Sequence, residues 1–218
     1  TRGGRAIFRS PQSAATPRAK AVAVASPLKK APAPEGTVAD ADWPAAISLQ
    51  ETPDGSPLAT RPCSARLATD SRNLLVRLDI PTPATAIAKG SEWRVSDGAE
   101  ICLGGKTSDG KAVTWVLHGF ADGTLEGSTE AGAPKAAVEA LAAASTFRAT
   151  VGEGGWRGQW SIPLTALGLA IGKSEVPFNL GVYRSNPGEW INWVGTQGPT
   201  WKLENAGLLR LEPAAGGQ

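Results

Sequence analysis

The residues best suited to chemistry in this chain are its tryptophans, of which there are eight against one tyrosine. Trp190, Trp193 and Trp201 fall close together in the loop-rich segment PGEWINWVGTQGPTW. Flat aromatic faces match the C–H faces of sugar rings, and nearby polar side chains can hydrogen-bond sugar hydroxyls. The pattern is also typical of sheet-edge packing or of a protein–protein anchor. Trp115 and Arg184 are further candidates for such a sugar-binding or partner-binding face.

The other four tryptophans are expected to pack the core or cap its ends, because large aromatic side chains are mostly buried. They are Trp43, Trp93, Trp156 and Trp160.

Asp97 and Glu100, in the segment SDGAE, are candidate calcium ligands because Ca²⁺ binds carboxylate oxygens. Asp70 or Asp79 could complete such a site. In the alternative interpretation, Asp97 caps a turn and Glu100 pairs with an arginine on an exposed face. The arginines concerned are Arg77 and Arg94. No substrate cleft is evident around the two carboxylates, so a glycoside hydrolase is not expected and no catalytic residue is predicted.

One histidine and two cysteines limit the remaining chemistry. Structural zinc sites use about four Cys or His ligands at short spacing, which this chain lacks. We expect His118 to be an ordinary surface or edge residue, and Cys63 and Cys102 to be unbonded thiols. No cofactor is therefore predicted, and calcium is the one alternative that the sequence leaves open.

The first 36 residues carry seven basic side chains against Glu35 alone and are rich in Ala and Pro. This composition predicts an extended arm, which is either a solvated linker or a docking segment for a protein partner. Nucleic acid is not expected as a partner, because the segment has a single aromatic residue. The arm residues considered for docking are Arg2, Arg5, Phe8, Arg9, Arg18, Lys20, Lys29 and Lys30.

The elements that must position these residues are short strands. Apolar residues alternate with polar ones over 63–67 and again over 74–80, and the turn residues 70–73 separate the two runs. Similar patterns recur along the chain and indicate about eight strands, with one helix over 134–145. We therefore predict an all-β fold: an antiparallel immunoglobulin-like or jelly-roll-type β-sandwich with at most one or two short helices and an extended N-terminal arm.

An ordered series of segments resembles the carbohydrate-binding module family 9 group, within the wider DOMON-like set of extracytoplasmic domains. The segments are ADADWPAA, TDSRNLLVRLDI, EWRVSDGAEICL, GGWRGQWSIPLTALGL and a final stretch with Asn179, Arg184, Trp193 and Gly207–Leu208. The resemblance covers residues 37–212. It implies a non-catalytic sandwich in which two tryptophans clamp the end of a sugar chain and structural calcium is common. Gln159 stands where the family signature often has Glu.

These observations predict an arm over 1–36, a sandwich over 37–212 and a flexible tail over 213–218. Two functions remain open. In the first, the protein is a periplasmic or secreted accessory subunit whose arm docks on a larger protein assembly, which could be membrane-bound. In the alternative, it is a carbohydrate-binding module that recognises a glycan through surface tryptophans. No apolar run approaches the ~18–20 residues needed to cross a bilayer, so no transmembrane segment is expected.

Overall fold

The structure, a computed structural model, describes residues 19–32, 38–172 and 175–213. Within these ranges the chain forms twelve strands and two short α-helices, which confirms the predicted all-β class. Neither helix is long and apolar enough to span a membrane. The strands are β1 Val22–Pro27, β2 Ile47–Leu49, β3 Cys63–Thr69, β4 Asn73–Ile80, β5 Gly98–Lys106, β6 Ala112–Phe120, β7 Leu125–Gly127, β8 Thr146–Gly152, β9 Gly155–Pro163, β10 Glu175–Arg184, β11 Glu189–Asn192 and β12 Gly207–Leu211. The helices are α1 Lys135–Ala144 and α2 Leu164–Leu167.

The strands form two layers that share β1. Their order is β7-β6-β5-β10-β12-β1-β3-β4-β9-β8, with β11 added beside β10 and β2 beside β3. The pairings of β1 with β12 and with β3 are parallel, whereas the other strand pairs are antiparallel. This arrangement places β5, β6, β10 and β11 side by side, and their outer face carries the candidate site.

The predicted hairpin at 63–80 is confirmed and has a clear local cause. The Asp70 carboxylate accepts hydrogen bonds from the backbone N–H groups of Arg72 and Asn73, at 3.0 and 2.7 Å. An aspartate that bonds the backbone two and three residues ahead closes a tight turn. The alternating residues on either side then direct Leu67, Val76 and their neighbours into the core.

The core lies between the two layers. Along β9 every second residue is buried, and Trp156, Trp160 and Ile162 are each at most 2% exposed. The layers approach closely at Gly119 of β6, where an added Cβ would lie 2.4 Å from the Trp160 ring. Glycine is therefore required at this position, because any side chain would force the sheets apart.

Part of the predicted arm belongs to the sheet. Ala23 and Ala25 of β1 are fully buried, and the strand lies between β12 and β3. The boundary predicted at residue 36 therefore separates β1 from the strands with which it pairs. The small alternating residues Ala23 and Ala25 allow this burial. The prolines and basic residues on either side of β1 led the sequence analysis to predict an extended arm instead. Lys20, Lys29 and Lys30 are exposed, whereas residues 1–18 and 214–218 lie outside the described part of the chain.

Candidate functional site

A row of polar residues crosses the outer face of the first layer. Strand register places Glu100 of β5 opposite His118 of β6 on one side and Gly181 of β10 on the other. Gly181 in turn lies opposite Asn192 of β11. The three polar side chains are at most 2% exposed. Burial of so many polar groups on the outside of a sheet requires a cover, which the neighbouring loops supply.

His118 is held between two carboxylates. Its Nε2 lies 3.2 Å from Glu100 Oε2, and its Nδ1 lies 2.9 Å from Glu126 Oε1. Burial lowers the pKa of the imidazole, but the hydrogen bonds to Glu100 and Glu126 outweigh it, so the pKa is raised above its ordinary value. The predicted surface or edge position for His118 is wrong. Its side chain is 1% exposed, because the outer face of β6 is covered by Trp93.

Trp93 covers the polar row from the segment that precedes β5. Its ring stacks on His118 with centroids 3.7 Å apart and planes 12° apart. It also meets Trp190 nearly at right angles, with centroids 5.3 Å apart. Gly98 makes room for this packing, because a Cβ there would lie 2.9 Å from the Trp93 ring. Trp93 remains partly exposed, so its uncovered surface is available to a ligand.

Trp190 reaches the same place from β11. This strand pairs with β10, and the Trp190 ring packs on Tyr183 with centroids 4.9 Å apart. Like Trp93, it is half-buried. Two aromatic rings at right angles thus form an L-shaped corner above the buried polar row.

The loop between β11 and β12 forms the third side of the site. Asn179 of β10 anchors it: its amide donates to the backbone oxygens of Val194 and Thr200, at 2.9 and 3.3 Å. The Thr200 hydroxyl faces Asn192 Oδ1 at 3.4 Å, whereas Asn192 Nδ2 is buried and makes no hydrogen bond within the described structure. A polar ligand that reached this amide could supply the missing acceptor.

Together these residues enclose a cleft of about 250 Å³. It has aromatic walls, a carboxylate floor and a polar end, and is lined by Pro53, Trp93, Arg94, Glu100, Glu130, Trp190, Pro199, Thr200 and Trp201. Beyond Trp201 the surface continues into a larger groove of about 1390 Å³. Aromatic walls combined with a few fixed polar groups are typical of small-ligand sites.

The structure divides the tryptophans differently from the sequence-based interpretation. Trp190 and Trp201 line the cleft, but Trp193 packs against Phe178 with ring centroids 5.8 Å apart. Trp115 is 2% exposed, and its indole donates to the Leu167 backbone oxygen at 3.2 Å. Trp115 therefore lies in the core, whereas Trp193 is half-buried and packs against it. Neither side chain lines the cleft.

Arg184 is also placed away from the cleft. It is 4% exposed and pairs with Glu189 at 2.8 Å, while it donates to the Arg61 backbone oxygen at 2.7 Å. These contacts attach β10 to the loop before β3. The residue has a structural role in this arrangement.

Trp93 is the residue that sequence reasoning assigned to the core and that the structure places at the site. Trp43, Trp156 and Trp160, in contrast, are buried as predicted. A signal for Trp93 was present, since the tryptophan precedes the Asp and Glu of EWRVSDGAE in the segment that carries the family resemblance.

Asp97 and Glu100 do not share a partner. Asp97 Oδ2 accepts hydrogen bonds from the Ser185 hydroxyl at 2.5 Å and the Ala88 backbone at 2.8 Å, whereas Glu100 faces His118. Among the described residues, the group whose ligand atoms could together hold a metal is Glu100, His118 and Glu130. The two arginines predicted as partners of Glu100 form ion pairs with other carboxylates: Arg77 with Asp79 and Asp40, and Arg94 with Glu130.

The two cysteines are buried free thiols in different layers. Cys63 packs in the main core, whereas Cys102 lies on the outer face beside Val116.

The fold is shared with solved carbohydrate-binding structures. A carbohydrate-binding module family 9 from Caldicellulosiruptor kristjanssonii in complex with cellotriose superposes with a TM-score of 0.65 at 15% identity, over 90% of this chain and 96% of that one. The same organism's module in complex with glucose gives 0.61 at 15% identity, over 91% and 99%. A putative carbohydrate-binding protein from Bacteroides uniformis gives 0.62 at 14% identity, over 89% and 100%.

Comparison of the amino-acid sequence with protein families and with curated proteins gave no match. At these identities the structural likeness establishes the fold, and it confirms the resemblance to carbohydrate-binding module family 9 that the sequence segments indicated.

Proposed function

We propose that the protein is a non-catalytic module that binds a neutral, glucose-containing glycan in the cleft between Trp93 and Trp190. The observation that carries the proposal is the pair of half-buried rings set at 75° above a buried polar row. A pyranose ring placed in this corner would contact indole faces with its C–H groups. Its hydroxyls would then face Thr200 and Glu100, which line the cleft and are both buried.

The structural neighbours support the glucose-containing class, since two of them were solved with cellotriose and glucose. A neutral sugar is favoured because the cleft is lined by the Thr200 hydroxyl and the Glu100 and Glu130 carboxylates, which can hydrogen-bond sugar hydroxyls. In such a site an apolar face gives affinity and a few polar groups give orientation. An extracytoplasmic location, predicted from the sequence, remains part of this proposal.

The accessory-subunit hypothesis stays a prediction. Arg2, Arg5, Phe8, Arg9 and Arg18, on which it chiefly depends, lie outside the described residues. Within the described ranges the arm contributes β1 to the fold itself, so part of its predicted docking role is replaced by a structural one.

The test is a glycan-binding assay on the full chain. Wild-type protein is titrated calorimetrically with glucose, cellotriose and a panel of soluble glucans, together with Trp190→Ala. Truncation of an anchoring tryptophan typically costs at least ~2 kcal/mol, which corresponds to about 30-fold in affinity. Trp193→Phe is the matched control, because it alters a tryptophan of the same loop region that faces the core.

We expect saturable binding by the wild type and by Trp193→Phe, and a loss of about 30-fold or more in Trp190→Ala. Absence of wild-type binding to every glycan on the panel would contradict the proposal. So would equal affinity in the wild type and Trp190→Ala.

A further inference from the structure

The floor of the cleft combines three metal-ligating side chains from separate elements. The residues are Glu100, His118 and Glu130. Each offers one ligand atom, and these three atoms lie within 4.8 Å of one another. His118 Nε2 and Glu100 Oε2 are 3.2 Å apart. Bonds of ~2.0–2.1 Å to a tetrahedral ion separate neighbouring ligand atoms by roughly 3.4 Å. The observed distance between His118 Nε2 and Glu100 Oε2 is therefore close to the distance between two ligand atoms of one tetrahedral metal ion.

Glu126 contacts the side of the His118 ring opposite Glu100. Its carboxylate lies 2.9 Å from His118 Nδ1, the ring nitrogen that faces away from the cluster. Histidines that bind metals almost always donate their second ring N–H to a carboxylate, carbonyl or water, which fixes the tautomer. A neutral imidazole that donates from Nδ1 to Glu126 directs the Nε2 lone pair at the Glu100 carboxylate. A bound cation would take the place of the proton through which Nε2 hydrogen-bonds Glu100.

The charges around the cluster also favour a dication. Glu100, Glu126 and Glu130 bring three carboxylates to one histidine, and Arg94 pairs with one of them, Glu130. Its guanidinium lies 3.7 Å from Glu130, and its side chain is 62% exposed, so it can move into solvent. Buried carboxylates are stabilised by pairing or by metal coordination, and Glu100 is 2% exposed.

We propose that Glu100, His118 and Glu130 bind a divalent first-row transition-metal ion at the floor of the cleft, with Glu126 orienting His118. An imidazole ligand favours zinc or a similar ion over calcium, which takes oxygen ligands. Three protein ligands leave a coordination position open towards the cleft, as in zinc sites that keep a water. The metal site does not depend on glycan binding, and metal alone tests it.

The experiment is a calorimetric titration of the chelator-stripped full chain with Zn²⁺. We expect one equivalent to bind, and Glu130→Gln, which changes an exposed ligand, to weaken binding by at least tenfold. Glu126→Gln is expected to weaken binding 10–100-fold, as substitutions behind a ligating histidine do. Glu139→Gln is the matched control: Glu139 lies exposed on α1, where it pairs with Lys135, and its variant should bind Zn²⁺ as the wild type does.

X-ray absorption of the zinc-loaded protein adds a direct structural readout, with one nitrogen and two carboxylate donors expected. The proposal is overturned if the wild type binds no stoichiometric Zn²⁺, or if Glu130→Gln binds it as tightly as the wild type. Equal affinity for Ca²⁺ would also overturn it. Since no sugar is present, failure of glycan binding leaves this result unaffected.

Discussion

Trp93 and Trp193 make the sharpest contrast between a tryptophan that lines the cleft and one that packs against the core. Trp93 makes ring contacts with His118, Trp190 and Phe120, at centroid distances of 3.7, 5.3 and 6.0 Å. Ring pairs contribute ~0.5–1.5 kcal/mol each beyond area burial, so the loss of three pairs in Trp93→Ala should lower the free energy of unfolding by about 1.5–4.5 kcal/mol from these contacts alone. A domain of this size is typically stable by ~5–15 kcal/mol, and the variant should remain folded.

Trp193→Ala removes a ring that packs on the core beside Phe178 and Gly207, where an added Cβ at Gly207 would lie 2.5 Å from the ring. Truncation of a packed tryptophan costs ~3–5 kcal/mol, and partial exposure places this one near the lower end. The two variants should therefore lose similar stability. Their glycan affinities should differ, because only Trp93 lines the cleft.

Urea unfolding and calorimetric glycan titration measure the two quantities separately. We expect Trp93→Ala to bind glycan at least ~30-fold more weakly than the wild type, whereas folded Trp193→Ala keeps the wild-type affinity. Full affinity in Trp93→Ala, or an equal loss in folded Trp193→Ala, would refute the assignment of the cleft.

Two further predictions concern the thiols and β1. Burial raises the pKa of Cys63 to about 11, and burial with the nearby Glu100 also raises that of Cys102. Neither thiol should react with an aromatic disulfide reagent at pH 8 in native protein, whereas both should react in urea; rapid native labelling would contradict their burial. Deletion of residues 1–27 removes β1, the strand that joins β12 to β3, so cooperative thermal unfolding should be lost, while deletion of 1–18 retains every described strand. A sharp melting transition in the longer deletion, followed by circular dichroism, would show that β1 is dispensable.

The fold was largely predictable because its strands follow local rules. The alternation over 63–80 and the Asp70 turn specify a hairpin without reference to the rest of the chain. β1 was missed since its pairing is parallel and non-local, and since its six residues, VAVASP, do not alternate between apolar and polar. The burial of His118 was missed for a related reason: its cover, Trp93, comes from a different segment.

The site was predictable in kind and only partly in detail. A tryptophan-rich segment indicated an aromatic binding face, and Trp190 and Trp201 do line the cleft. Sequence proximity could not separate them from Trp193, because neighbouring residues at a strand end face opposite sides of the sheet. The partners of Glu100 were equally hidden, since strand register alone places it opposite His118.

The most direct test of the glycan-binding cleft is a proton–nitrogen NMR titration of the tryptophan side chains with cellotriose. The chain has eight indole N–H groups, and each gives one signal that can be assigned by substitution. We predict saturable shifts for Trp93, Trp190 and Trp201, which line the cleft. The N–H signals of the buried tryptophans should not shift; these residues are Trp43, Trp115, Trp156 and Trp160. Saturable shifts confined to tryptophans outside the cleft, or no shift at any indole with cellotriose or the wider glucan panel, would contradict the account.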